Sequence, residues 1–238
     1  VGWEGYEVPC RVFGPGGCGK TAWLRQAAEI LREEGYEVFY LHPLDRLVYA
    51  EVSVPSVREA FLDFARRALA EEALGRVAWA VFDFVRDLLK LQRSRVAILA
   101  DDVFQAIGLN HAAAYVKGLL NAVEHPVYGY ESIVVLVVTS EGFSRREIGR
   151  HRWATLAPMW NMGRRGFEEL YEQLRGKIPS APSPDVEEVW RWTGGNPWML
   201  AQLYQAGWDA DSVTIALAES KKLTPSFIEK WRNWLEEA

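Results

Sequence analysis

Short apolar runs recur along the first two thirds of the chain. They are separated by longer stretches whose apolar positions repeat every three to four residues. The runs at 8–13, 38–41, 96–100 and 133–138 predict β-strands, and a weaker one at 153–156 predicts a fifth. The runs at 38–41 and 133–138 are apolar at successive positions, as in strands buried on both faces. Trp23, Leu24, Ala27, Ala28, Ile30 and Leu31 share one side of a helix over 20–34, which Gly35 closes. Val57, Ala60, Phe61, Phe64, Ala65, Ala68 and Leu69 mark a second helix, and 76–91 reads as a third. Tyr115, Val116, Leu119, Leu120 and Val123 mark another over 111–123. The stretch 42–53 gives mixed signals and reads as a loop. Strand, helix and strand in this order predict right-handed parallel βαβ units, hence an α/β fold with helices flanking a parallel sheet.

Beyond Pro158 the strand pattern stops. Phe167, Leu170, Tyr171 and Leu174 define an amphipathic helix, and 178–184 is a Pro-rich connector. Val186, Val189 and Trp190 face inward from the next helix. Thr193, Gly194, Gly195, Asn196 and Pro197 then stop one helix and start another: glycine caps the end, asparagine caps the start, and proline takes the first helical position. A last helix after Pro225 carries Phe227, Ile228, Trp231, Trp234 and Leu235. The chain is expected to divide into an α/β domain, 1–158, and a helical domain, 159–238.

Between the first strand and the first helix lie Gly14, Pro15, Gly16, Gly17, Cys18, Gly19, Lys20 and Thr21. They fit the phosphate-loop pattern G-x-x-x-x-G-K-[ST] without mismatch. Glycines let the backbone curl until successive N–H groups, on as far as Ala22, point at one centre. The helix start directs its positive dipole end there. Lys20 supplies charge for the outer phosphates, and the Thr21 hydroxyl can ligate Mg2+. The run 96–100 leads into Asp101 and Asp102, and acidic residues at the carboxyl end of such a strand arrive beside the loop. Asp101 is then the magnesium-side carboxylate and Asp102 orients or deprotonates the attacking water; the bland alternative is a pair capping the next helix. Thr139 and Ser140 end the fourth strand at the same edge, either sensing a γ-phosphate or forming a simple turn. His42 reads as a loop histidine.

Composition narrows the classes. Of 238 residues 49% are hydrophobic, enough for a large core, and the net charge of −5 argues against a strongly basic nucleic-acid binder. Two cysteines allow neither a disulfide framework nor a cysteine metal site and suit a cytoplasmic protein. No apolar run is long enough to span a bilayer, and no signal-peptide pattern opens the sequence. Arg145, Arg146, Arg150, His151 and Arg152 form the densest basic cluster. It is a solvated loop, an arginine source for the transferring phosphate, or a nucleic-acid contact.

Together the phosphate loop, the strand ending in Asp101 and Asp102, the strand ending in Thr139 and Ser140, the stretch around Arg150 and the Thr193 to Pro197 turn resemble archaeal-type ATPases. These belong to the signal-transduction class of phosphate-loop NTPases, relatives of the AAA+ proteins. The resemblance covers nearly the whole chain and implies a sheet of order 5-1-4-3-2 with a small C-terminal helical lid. It implies ATP as ligand with Mg2+ as cofactor, Arg150 as a reader of the γ-phosphate and Pro197 as a base-side contact. The expected activity is ATP hydrolysis coupled to a conformational or assembly switch, with homo-oligomerisation following. The alternative is a nucleotide-gated module that recruits DNA or a protein with negligible turnover. Many relatives carry Asp-Glu where this chain has Asp101-Asp102, which shortens the reach to water. No guanine-reading motif is present, which favours adenine.

Overall fold

The structure, a computed structural model, describes residues 10–71, 73–124, 129–139, 155–177 and 183–237. They fall into two compact units, one running to Trp160 and the other from Asn161, with Gly17–Gly19 grouped with the second.

In the first unit the strands are β1 (Cys10–Phe13), β2 (Glu37–His42), β3 (Leu47–Glu51), β4 (Arg95–Asp101), β5 (Ser132–Thr139) and β6 (Thr155–Pro158). They form one sheet in the order β3-β2-β4-β5-β1-β6. Every neighbouring pair is parallel except β2 and β3. The five parallel strands, taken alone, run in the expected order. The difference is β3, which falls in the stretch read as a loop and adds an antiparallel edge to β2. Arg46, in the turn between the two strands, adopts a left-handed φ of 54°. Val48 and Tyr49 then supply β-favouring side chains.

Alternation along the strands sends side chains into two cores. Val38, Tyr40, Ala97, Leu99, Leu136 and Val138 meet α1 (Lys20–Glu33) through Leu24, Ala27, Ala28 and Leu31. Each fully buried leucine contributes about 1.5–3 kcal/mol. Phe39, Leu41, Val96, Ile98, Ala100, Ile133, Val135 and Val137 face the other way. There they meet α2 (Pro55–Ala70), α3 (Leu74–Leu91), α4 (Val103–Ile107) and α5 (Leu109–Glu124). Phe61 sits edge-on to both Phe39 and Phe84, with ring centroids 5.2 Å apart in each pair.

The second unit contains α6 (Arg164–Leu174), α7 (Val186–Thr193), α8 (Pro197–Gln205), α9 (Ala210–Ser220) and α10 (Pro225–Glu237). Phe167, Tyr171, Val189, Leu200, Leu203, Trp208 and Val213 form its core. The turn between α7 and α8 is built as its residues predict. Gly194 is left-handed, and Asn196 accepts from the Trp198 and Met199 N–H groups at 3.0 and 3.2 Å, with Pro197 first in α8. The Trp198 N–H also donates to the Gly17 carbonyl at 3.3 Å. Along α10, Phe227, Ile228, Trp231, Trp234 and Leu235 are all exposed.

Candidate functional site

The carboxyl ends of the parallel strands assemble the site through register. Phe13 pairs with Thr139, Val138 with Asp101, and Ala100 with Leu41. The last residues of β1, β5, β4 and β2 therefore reach one edge of the sheet, where α1 also begins.

The loop leaves β1 at Gly14 and enters α1 at Lys20, so Lys20, Thr21 and Ala22 make the first helical turn. Gly17 and Gly19 take φ of 75° and 101°, which a side chain would oppose. Cys18 is buried. Lys20 is 6% exposed, and its Nζ donates to the Pro15 carbonyl at 2.8 Å and the Gly14 carbonyl at 3.1 Å. The ammonium braces the loop from within.

Asp101 is the last residue of β4 and is 1% exposed. Burial pushes its carboxyl above the usual carboxylate range. The Thr21 hydroxyl, the neighbouring His42 and the Tyr40 hydroxyl pull it back, while the Asp102 charge adds to the rise. Tyr40 Oη lies 3.4 Å from Asp101 Oδ2, and burial together with that carboxylate lifts the phenol to about 12.

Asp102 occupies the N-cap position of α4, yet its side chain makes no capping hydrogen bond. Its backbone is left-handed, at φ 45°, and its N–H donates to the Val138 carbonyl at 3.1 Å. The bland capping role thus goes unused at Asp102, and a non-glycine residue is held in a conformation costing about 1 kcal/mol.

Thr139 ends β5 fully buried and, by alternation, lies on the face of Val135 and Val137, opposite Asp101. Ser140 and Arg150, with the whole basic cluster, lie outside the described residues. Pro197 belongs to the helical unit.

One residue was misread from the sequence. His42 is no loop histidine: it closes β2, is 6% exposed, and sets Nδ1 3.8 Å from Asp101 Oδ2 and 3.2 Å from Asp45 Oδ2. The signal was available, since a polar residue directly after the apolar run 38–41 occupies the same strand-end position as Asp101. Tyr40 was read only as an apolar strand residue, and its hydroxyl could not be aimed without the register.

The donor set suits magnesium on one side: the Thr21 hydroxyl and the Asp101 carboxylate offer hard oxygen ligands. Among the described residues no helix is long and apolar enough to cross a membrane.

Residues 3–203 match a family described as an ATPase domain predominantly from Archaea. No curated protein matches the sequence. Among solved structures, AMPPCP-bound DnaA from Aquifex aeolicus aligns with a TM-score of 0.42 at 15% identity, over 84% of this chain and 54% of that one. A structure titled as a DNA replication initiation factor aligns with a TM-score of 0.41 at 14% identity, over 88% of this chain and 58% of that one. The chain thus spans little more than half the length of either. The family match extends over most of the sequence, and the chain belongs to this family of ATPase domains.

Proposed function

We propose that the chain binds ATP with magnesium and hydrolyses it, and that turnover drives a conformational or assembly switch. The observation that carries this reading is the phosphate loop of Gly14 to Thr21, which opens α1 at the sheet edge where β4 ends in the buried carboxylate of Asp101.

Each residue has a defined task. The loop amides from Gly14 to Ala22 and the dipole of α1 bind phosphate oxygens. Lys20 places its charge against them. Thr21 and Asp101 hold the cation, and magnesium, when bound, neutralises charge on the phosphate oxygens. Asp102 orients the attacking water and accepts its proton. The strained backbone at Asp102 supports this role, because strain of this kind is kept where a side chain must be aimed. Arg150 stabilises the transferred charge and Pro197 contacts the base, both by family resemblance. Residues 1–158 serve as the ATP-binding domain and 159–238 as its helical lid. Homo-oligomerisation is supported by the aromatic stripe of α10, and light scattering with and without ATP tests it; a monomer in both states removes it.

The decisive experiment is steady-state phosphate release with and without Mg2+, in wild type and Asp102→Ala. Hydrolysis that needs Mg2+ and falls at least 100-fold in Asp102→Ala supports the reading. Tight ATP binding without turnover in either protein supports instead the nucleotide-gated module, in keeping with the shorter reach of Asp102.

A further inference from the structure

The cation position proposed above contains a group that the oxygen ligands leave unexplained. His42 Nδ1 is buried and has no hydrogen-bond partner. A buried nitrogen in that condition costs about 1–3 kcal/mol unless something satisfies it. Asp101 and Asp45 face Nδ1, and Asp102 belongs to the same group. One ligand atom from each of His42, Asp101 and Asp102 falls within a group whose members are no more than 4.8 Å apart. Around a dication with bonds of about 2.1 Å, donors on opposite sides stand about 4.2 Å apart. His42 Nδ1 and Asp101 Oδ2, 3.8 Å apart, already stand within that span, with Asp102 beside them.

The fold makes the arrangement specific. By alternation His42 and Asp101 lie on the α1 face of β2 and β4, with Tyr40 and Leu99 below them. His42 follows Leu41, which pairs with Ala100, so the two side chains sit level across the strands. Nδ1 faces two carboxylates, Asp45 Oδ2 at 3.2 Å and Asp101 Oδ2 at 3.8 Å.

We propose that His42 Nδ1 is an inner-sphere ligand of the cation held by Thr21 and Asp101, making a mixed nitrogen–oxygen site with Asp102 beside it. The proposal rests on the nucleotide-binding function put forward above. Imidazole is a poor ligand for magnesium and a good one for first-row transition metals. The site accordingly prefers a cation such as Mn2+ to Mg2+.

The test uses the full chain with Mn2+ and a non-hydrolysable ATP analogue. Electron spin-echo modulation detects a histidine nitrogen bonded to Mn2+, and 15N-histidine labelling of the wild-type chain identifies that nitrogen without altering the fold. The expected result is a nitrogen coupling that changes isotope on labelling and is lost in His42→Gln. Mn2+ affinity should fall at least ten-fold in that variant. Mn2+ bound alongside the nucleotide with no histidine coupling overturns the proposal and leaves the ATP-binding reading standing. Failure of the wild-type chain to bind Mn2+ or Mg2+ with the nucleotide overturns both.

Discussion

Lys20→Ala separates two jobs that the ammonium performs. The side chain is almost fully buried, and Nζ donates to the carbonyls of Pro15 and Gly14 at 2.8 and 3.1 Å. Hydrogen bonds with a charged partner contribute about 1.5–3 kcal/mol. In the nucleotide-free protein both carbonyls belong to partly exposed residues, so water replaces the lost donor and the stability loss stays near the lower value, about 1.5 kcal/mol. For ATP the same range corresponds to about 10- to 150-fold in Kd, since each 1.4 kcal/mol is tenfold. The ammonium must share or release its loop carbonyls to meet a phosphate, which offsets part of that gain. The net expectation is therefore about 10- to 50-fold weaker binding. Calorimetric titration of ATP in Mg2+ measures the affinity, and urea unfolding followed by tryptophan fluorescence measures the stability. Lys20→Arg should fall between, because a planar guanidinium keeps the charge but cannot sit as a point donor between two carbonyls. An affinity within three-fold of wild type, alongside the full stability loss, would mean that Lys20 only braces the loop.

Tyr115 is completely buried with no partner for its hydroxyl, and burial raises its phenol well above 10. Tyr115→Phe keeps the contacts with Trp79 and Phe82 and should stabilise the protein by about 1 kcal/mol in urea. Above pH 10 the unfolded chain ionises this group while the folded chain keeps its proton, so wild-type stability falls with rising pH by a component that the variant lacks. At Gly195, with φ 76°, an added Cβ meets the Met162 carbonyl at 2.7 Å and the Trp190 ring at 2.9 Å, whereas at Gly194, with φ 57°, the nearest atom is 3.9 Å away. Thermal unfolding should show Gly194→Ala losing about 1 kcal/mol and Gly195→Ala about 3 kcal/mol; equal losses would discredit the steric reasoning. Asp102→Gly should be about 1 kcal/mol more stable than Asp102→Ala, since only glycine is at ease at φ 45°, with hydrolysis lost in both.

Local signals and long-range placement were legible to different depths. The phosphate loop, the acidic strand end and the Gly194 to Pro197 turn are defined by neighbours in sequence, so their chemistry could be read directly. The five parallel strands followed from apolar runs too short for helices. β3 did not, because Pro43 and the turn residues before it masked a five-residue strand whose partner is adjacent. His42 and Tyr40 were legible as residues but not as site members. Their meaning depends on which strand lies beside β2, and that is a pairing over about sixty residues of chain.

Strand parity is what turns the motif into a site. Positions 38 and 40 of β2 and 97 and 99 of β4 bury against α1, so 42 and 101 must also fall on the α1 face, the face on which Thr21 begins its helix. A one-residue slip of β4 would send Asp101 into the opposite core and present Asp102 to α1 instead. The slip is prevented by the apolar residues below: it would also drive Ile98 and Ala100, packed against α2 to α5, into the space now matched by Ala97 and Leu99. The core thus fixes the placement of the carboxylate far more strongly than the carboxylate's own contacts do. The same reasoning applies to Thr139, which parity sends to the other face.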